Sequence, residues 1–176
     1  ACGLPLLVGS HWRVRWPVLP GGGFTLVAWA ADRAGYGQLS AWISRLRQGQ
    51  ATAANGRERH TAVAADPQAL PLHTDIDDVP DLPGCLLMAV PWAWALPSAD
   101  DTAWATGLHA LGGWLRERGA DRGWLGITAE GRLEDAAWQR RLLAAAARAG
   151  VPAVAAPEVR MSHPGDRKST RLNSSH

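Results

Sequence analysis

Glu158 and Arg160 stand where a parallel α/β fold does its chemistry. They follow residues 151–156, an apolar run too brief for a helix and too continuous for a one-sided strand, which reads as a buried parallel strand. Side chains just past the carboxyl ends of such strands face the crevice where ligands bind. A carboxylate there can hold a divalent ion or a proton. A guanidinium can hold an anion but has no lone pair for a metal. The histidines are the other candidates, because neutral imidazole ligates divalent ions. His11 lies toward the end of the first apolar run, His60 and His73 fall in a polar stretch, and His109 falls in a helical one. A metal site needs several converging ligands, so each histidine taken singly reads as structural or exposed.

The familiar catalytic loops are missing. There is no Gly-x-x-x-x-Gly-Lys-Ser/Thr, no Gly-x-Ser-x-Gly and no His-Glu-x-x-His. Gly21-Gly22-Gly23 would cradle a phosphate only if a helix followed; a strand-like run follows, so the glycines read as a turn. The tryptophans recur at helical spacing and read as core rather than as base-stacking platforms.

The elements that must position these residues follow from periodicity. Residues 4–14 and 24–31 read as two strands, an antiparallel pair joined through the glycine turn. A second turn at 32–37 precedes a helix over 38–48, with Leu39, Trp42, Ile43 and Leu46 on one face. Residues 49–81, rich in Ala, Asp, Pro, Arg and His, read as an exposed insertion. A buried strand ends near Val90, and a helix over 100–118 carries Trp104, Leu108, Leu111, Trp114 and Leu115 on one stripe. A short strand over 124–128 comes next. The helix that follows repeats Leu133, Ala136, Ala137, Arg140, Leu143, Ala144 and Ala147 at helical spacing, and Gly150 supplies its left-handed stop. Strand, helix, strand, helix, strand is the pattern of a parallel α/β sheet or barrel.

Composition sets outer limits. With 176 residues, 47% of them hydrophobic, the chain is about one domain long and not disordered. Two cysteines make no disulfide framework, and no stretch approaches about 20 uninterrupted apolar residues, so a cytoplasmic location is expected. The first residue is Ala, and residues 1–10 already read as a strand entering a core, as in a chain cut within a domain. Residues 166–176 (DRKSTRLNSSH) break with the rest: Lys168 is the only lysine, and Ser, Thr and Asn crowd together. That string resembles one reading frame of a common sequencing adapter, and it is set aside as an artefactual tail. Without it, acidic and basic residues balance and the formal charge is zero. The basic stripe of a nucleic-acid-binding domain is not visible.

Four stretches together carry a resemblance: Gly-Leu-Pro-Leu-Leu-Val-Gly-Ser at 3–10, Ala-Gly-Tyr-Gly-Gln-Leu-Ser at 34–40, Leu-Pro-Gly-Cys-Leu at 82–86 and Ala-Gly-Val-Pro-Ala-Val-Ala-Ala-Pro-Glu-Val-Arg at 149–160. Over residues 1–165 the chain resembles the polymerase-and-histidinol-phosphatase (PHP) domain of bacterial C-family DNA polymerases, most closely the error-prone homologue. The resemblance implies an incomplete, distorted (βα)7 barrel lacking its N-terminal strands, including a His-x-His strand. It also implies a divalent metal for the full-length polymerase. In metal-binding members a Glu occupies the position of His11, and an Asp-x-His occupies the position of Glu158 and Arg160. His11 and Glu158 are thus the metal-ligand remnants, and Arg160 cannot coordinate.

The resemblance therefore implies a non-catalytic or degenerate part of an error-prone DNA polymerase. DNA, deoxynucleotides and replication or translesion accessory proteins would be partners of the parent, with no membrane involved. The alternatives are a stand-alone metal-dependent phosphoesterase of the same superfamily and an unrelated α/β binding module. Lacking its strands, the isolated piece would be expected to associate through unpaired edges.

Overall fold

Alternation in residues 9–15 becomes β1 (Gly9–Arg15), which buries Trp12 and Val14 and leaves His11, Arg13 and Arg15 exposed. The structure, a computed structural model, describes residues 7–55, 73–92, 101–129 and 133–156. β1 pairs antiparallel with β2 (Gly23–Ala30), as the two apolar runs imply.

Helix α1 (Arg33–Asn55) begins where the sequence suggests a turn. The Asp32 carboxylate accepts a bond from the Gly35 N–H at 2.7 Å, satisfying one of the donors that a helix start leaves unpaired. The first turn is also held from below. A Cβ on Gly35 would sit 1.9 Å from the Gly84 carbonyl oxygen, so only glycine permits this approach. The Gly84 N–H donates to Gln38 Oε1 at 3.1 Å, and the Ala31 N–H donates to the Gly84 oxygen at 2.9 Å. Further along α1, Leu39 and Trp42 are buried, with Ile43 and Leu46 packed beside them, the face that periodicity indicates.

Both ends of the segment read as an insertion belong to the fold. Residues 49–55 continue α1, and β3 (His73–Asp75) pairs in parallel with β1. After a 3-10 turn (Ile76–Asp78), Val79 and Leu82 enter the core. Residues 56–72 lie outside the described residues.

β4 (Cys85–Pro91) pairs antiparallel with β2, β5 (Gly123–Ile127) parallel with β4, and β6 (Ala153–Ala155) parallel with β5. The result is a mixed α/β fold with strand order β3-β1-β2-β4-β5-β6. β3 and β6 are edges, so the sheet is open and not closed as a barrel. All three residues of β6 are exposed, which corrects the expectation of a buried strand. A continuous apolar run offers two apolar faces, but the strand's place in the sheet decides whether anything covers them.

Helices α2 (Asp101–Gly119) and α3 (Asp135–Ala149) pack on the face of the sheet that holds Trp12, Leu26, Leu87 and Leu125. The α2 stripe is as periodicity indicates: Trp104, Leu108, Leu111 and Leu115 are buried, and Trp114 packs against them. α3 ends at Gly150, with φ 66°, and the Arg116 guanidinium donates to the Ala149 carbonyl at 3.3 Å. Its inward face, however, is the opposite one. Trp138, Leu142, Ala145, Ala146 and Ala149 are buried, whereas Leu133, Ala136, Ala137, Arg140, Leu143, Ala144 and Ala147 are exposed. Alanine repeats on both sides of this helix, so spacing alone leaves the face undecided. Trp138, packed edge-on against Trp104 at 4.7 Å, buries more area than Leu143 could and sets the rotation.

Two adjacent leucines test this rotation. Leu142→Ala should cost about 2–5 kcal/mol and Leu143→Ala less than about 1 kcal/mol in chemical denaturation. Equal losses would contradict the observed face.

Candidate functional site

The second face of the sheet carries no helix among the described residues. Because strand side chains alternate, the residues that do not enter the core all stand here: His11, Arg13 and Arg15 from β1, Val27 and Trp29 from β2, Leu86, Met88 and Val90 from β4, and Trp124 from β5. The ladder aligns His11 with Val27, Val27 with Met88, and Met88 with Trp124, giving one row across four strands. Trp29 of β2 and Val154 of β6 line one cavity of about 330 Å³ with Met88, Trp124, Ala155 and Ala156.

Along β1 the face turns from apolar to cationic. Arg15 is neutralised by Asp75 through two contacts, Nε to Oδ1 and Nη2 to Oδ2, each 2.9 Å. Both side chains are more than half exposed, so the pair adds little stability and serves to join β3 to β1. Arg13 lies 5.8 Å from the ring centre of Trp92, whose indole N–H donates to Thr25 Oγ at 3.0 Å. The same strand register sets His73 beside Arg13. Desolvation, followed by the charges of Arg13 and Arg15, pushes the His73 imidazole below the usual histidine range. Its neutral form is favoured, with a lone pair for a proton or a metal.

His11 is exposed on this face, next to Val27 and two positions from Arg13, neither of which is a metal ligand. Among the described residues, no group of three or more His, Cys, Asp and Glu could hold a metal ion. The donors described around His11 do not fit a divalent ion. Glu158 and Arg160, together with His60, lie outside the described residues. His109 is exposed on α2, on the opposite side of the sheet. The tryptophans of the helices do form core: Trp42, Trp104 and Trp138 are 1–2% exposed and Trp114 packs against them, as does Trp12 of β1, whereas Trp29 and Trp124 stand on the uncovered face. Sequence reasoning passed over the grouping of Arg13, His73 and Trp92, because β3 is only three residues long and carries no periodic signal. No described helix is long and apolar enough to cross a membrane.

The lowered His73 value has a defined sign. A histidine depressed in the folded state contributes stability that is complete above its unfolded pKa and is lost as pH falls through the lowered folded value. An NMR titration should place His73 below an ordinary histidine, and Arg13→Ala should move it up. A midpoint unmoved by that change would remove Arg13 from the account.

No protein-family model matches the chain. Over 145 residues it is 34% identical to the error-prone DNA polymerase of Azoarcus sp. (strain BH72), covering 82% of this chain and 12% of that protein. The protein of the same name from Aromatoleum aromaticum is 32% identical over 164 residues, 93% of this chain and 13% of the relative. That of Pseudomonas syringae pv. syringae is 34% identical over 165 residues, 94% and 13% respectively. The chain thus spans about an eighth of the length of these curated relatives. Through most of its residues it is related to one segment of proteins named error-prone DNA polymerase.

Proposed function

We propose that residues 1–165 are part of a PHP-type barrel wall within an error-prone DNA polymerase, retained for architecture rather than for phosphoester chemistry. One observation carries this reading: the second face of the sheet, apolar at Val27, Trp29, Met88 and Trp124, has no covering layer among the described residues. Further strands of a longer parent would cover it and close the barrel. The relatives' names support the polymerase assignment.

In this reading the full-length protein performs DNA-templated nucleotidyl transfer on damaged templates. The carboxylates and divalent metals for that step lie in a polymerase body outside this chain. DNA and deoxynucleotides bind there, accessory replication proteins join the parent, and the location is cytoplasmic. His11 and Glu158 are remnants of a metal site at the barrel mouth. Arg160 puts a fixed positive charge where a ligand would stand, which disfavours a second cation. Without converging ligands, a hydrolytic metal centre loses the term that generates hydroxide and neutralises developing charge.

The test uses the full-length parent. It should extend a primer across an abasic template in a metal-dependent reaction, and Glu158→Gln should leave that rate within about twofold, the size of a minor structural effect. Metal-dependent exonuclease turnover abolished by Glu158→Gln would overturn the architectural reading. A parent that ends near residue 165 and hydrolyses phosphomonoesters would overturn the polymerase assignment.

A further inference from the structure

Another cavity lies on the helical side, away from the uncovered sheet face. It is a groove of about 390 Å³ between α2 and α3, with Ala105, Ala137 and Ala144 forming its apolar floor over the buried Trp104 and Leu108. Arg140 and Arg148 stand along its α3 side, two helical turns apart, a separation of about 12 Å at about 1.5 Å per residue. Both are exposed, and neither makes an ion pair among the described residues. Arg141, by contrast, is paired with Asp101 of α2, the one acidic side chain lining the groove among the described residues.

An apolar floor beside two uncompensated guanidinium groups selects its ligand. A nucleic-acid backbone would use the cations but gain nothing from the floor, and it would meet Asp101. Binding to phosphates also draws on a broader basic stripe, which this zero-charge body lacks. A peptide carrying carboxylates about two helical turns apart, with an apolar side chain between them, matches both features. We propose that the α2–α3 groove docks a short acidic peptide segment of a separate protein, with its apolar anchor on Ala105, Ala137 and Ala144 and its carboxylates on Arg140 and Arg148. This goes beyond the polymerase reading and does not depend on it, since it concerns the helical face and is read by binding alone.

The test measures fluorescence anisotropy of the full-length protein with a fluorescein-labelled peptide bearing two Glu residues around a central Leu-Phe pair. The same peptide with its order scrambled and a labelled single-stranded oligonucleotide serve as comparisons. The ordered peptide should bind, the scrambled one should bind more weakly, and Arg140→Glu with Arg148→Glu should weaken the ordered peptide about tenfold or more. Both arginines are exposed, and an unchanged melting curve confirms that the double variant folds. A Lys-for-Glu version of the peptide should regain binding to that variant. Should the variant fail to fold, Arg140→Gln alone should weaken the ordered peptide severalfold. Peptide binding indifferent to these changes would overturn the proposal. So would displacement by the oligonucleotide, or no binding at all, as when another part of the parent already fills the groove.

Discussion

One-sided burial of the sheet is the constraint on which the rest of this structure depends. All three helices cover the face holding Trp12, Leu26, Leu87 and Leu125, and aromatic pairs fasten them there. Trp12 of β1 meets Trp42 of α1 at 4.2 Å; Phe24 of β2 meets Trp114 of α2 at 5.5 Å; Trp104 of α2 meets Trp138 of α3 at 4.7 Å. Among the described residues, the indole N–H groups of Trp12, Trp104, Trp114 and Trp138 have no acceptor. The magnitudes explain why that is tolerated. Burying a large aromatic side chain removes about 150–250 Å² from water, worth about 4–6 kcal/mol, against about 1–3 kcal/mol for an unpaired donor.

Polar contacts then lock the elements in place around that core. Arg118 of α2 donates to the Val79 carbonyl at 2.6 Å, pairs with Asp81 at 3.1 Å and lies over the Trp114 ring, tying the strand-edge loop to the helix. At the other end, the backbone contact between Gly35 and Gly84 brings the start of α1 onto the start of β4. Cys85 sits just beyond it, its thiol directed at the Gly35 carbonyl and its pKa pushed up by burial and then by the Asp32 charge. A thiol held in its neutral form inside the core is structural rather than nucleophilic.

The uncovered face and the helical groove follow from the same asymmetry. With the core on one side, the alternate residues of β1, β2, β4 and β5 are left to form a surface that is apolar in the middle and cationic along β1. In the architectural reading this surface is an inner wall, which accounts for its tryptophans and Met88. On the helix side, α3 turns its bulky residues inward and leaves its arginines beside the groove shared with α2.

The first two strands, expected over 4–14 and 24–31 and found over 9–15 and 23–30, the inward faces of α1 and α2, and the left-handed stop at Gly150 were legible in the sequence. Each rests on local physics: a two-residue or 3.6-residue repeat of large apolar side chains, or a backbone conformation that glycine tolerates. The rotation of α3, the early start of α1, the pairing of β3 with β1 and the exposure of β6 were not legible. Alanine marks no face, Asp32 suits a turn as well as a helix start, and a three-residue strand has no period. The residue types at His11, Arg13 and His73 were plain from the chain, but their grouping was not. Neighbours about 60 residues apart meet only through sheet register, and register is a property of the assembled sheet rather than of any one strand.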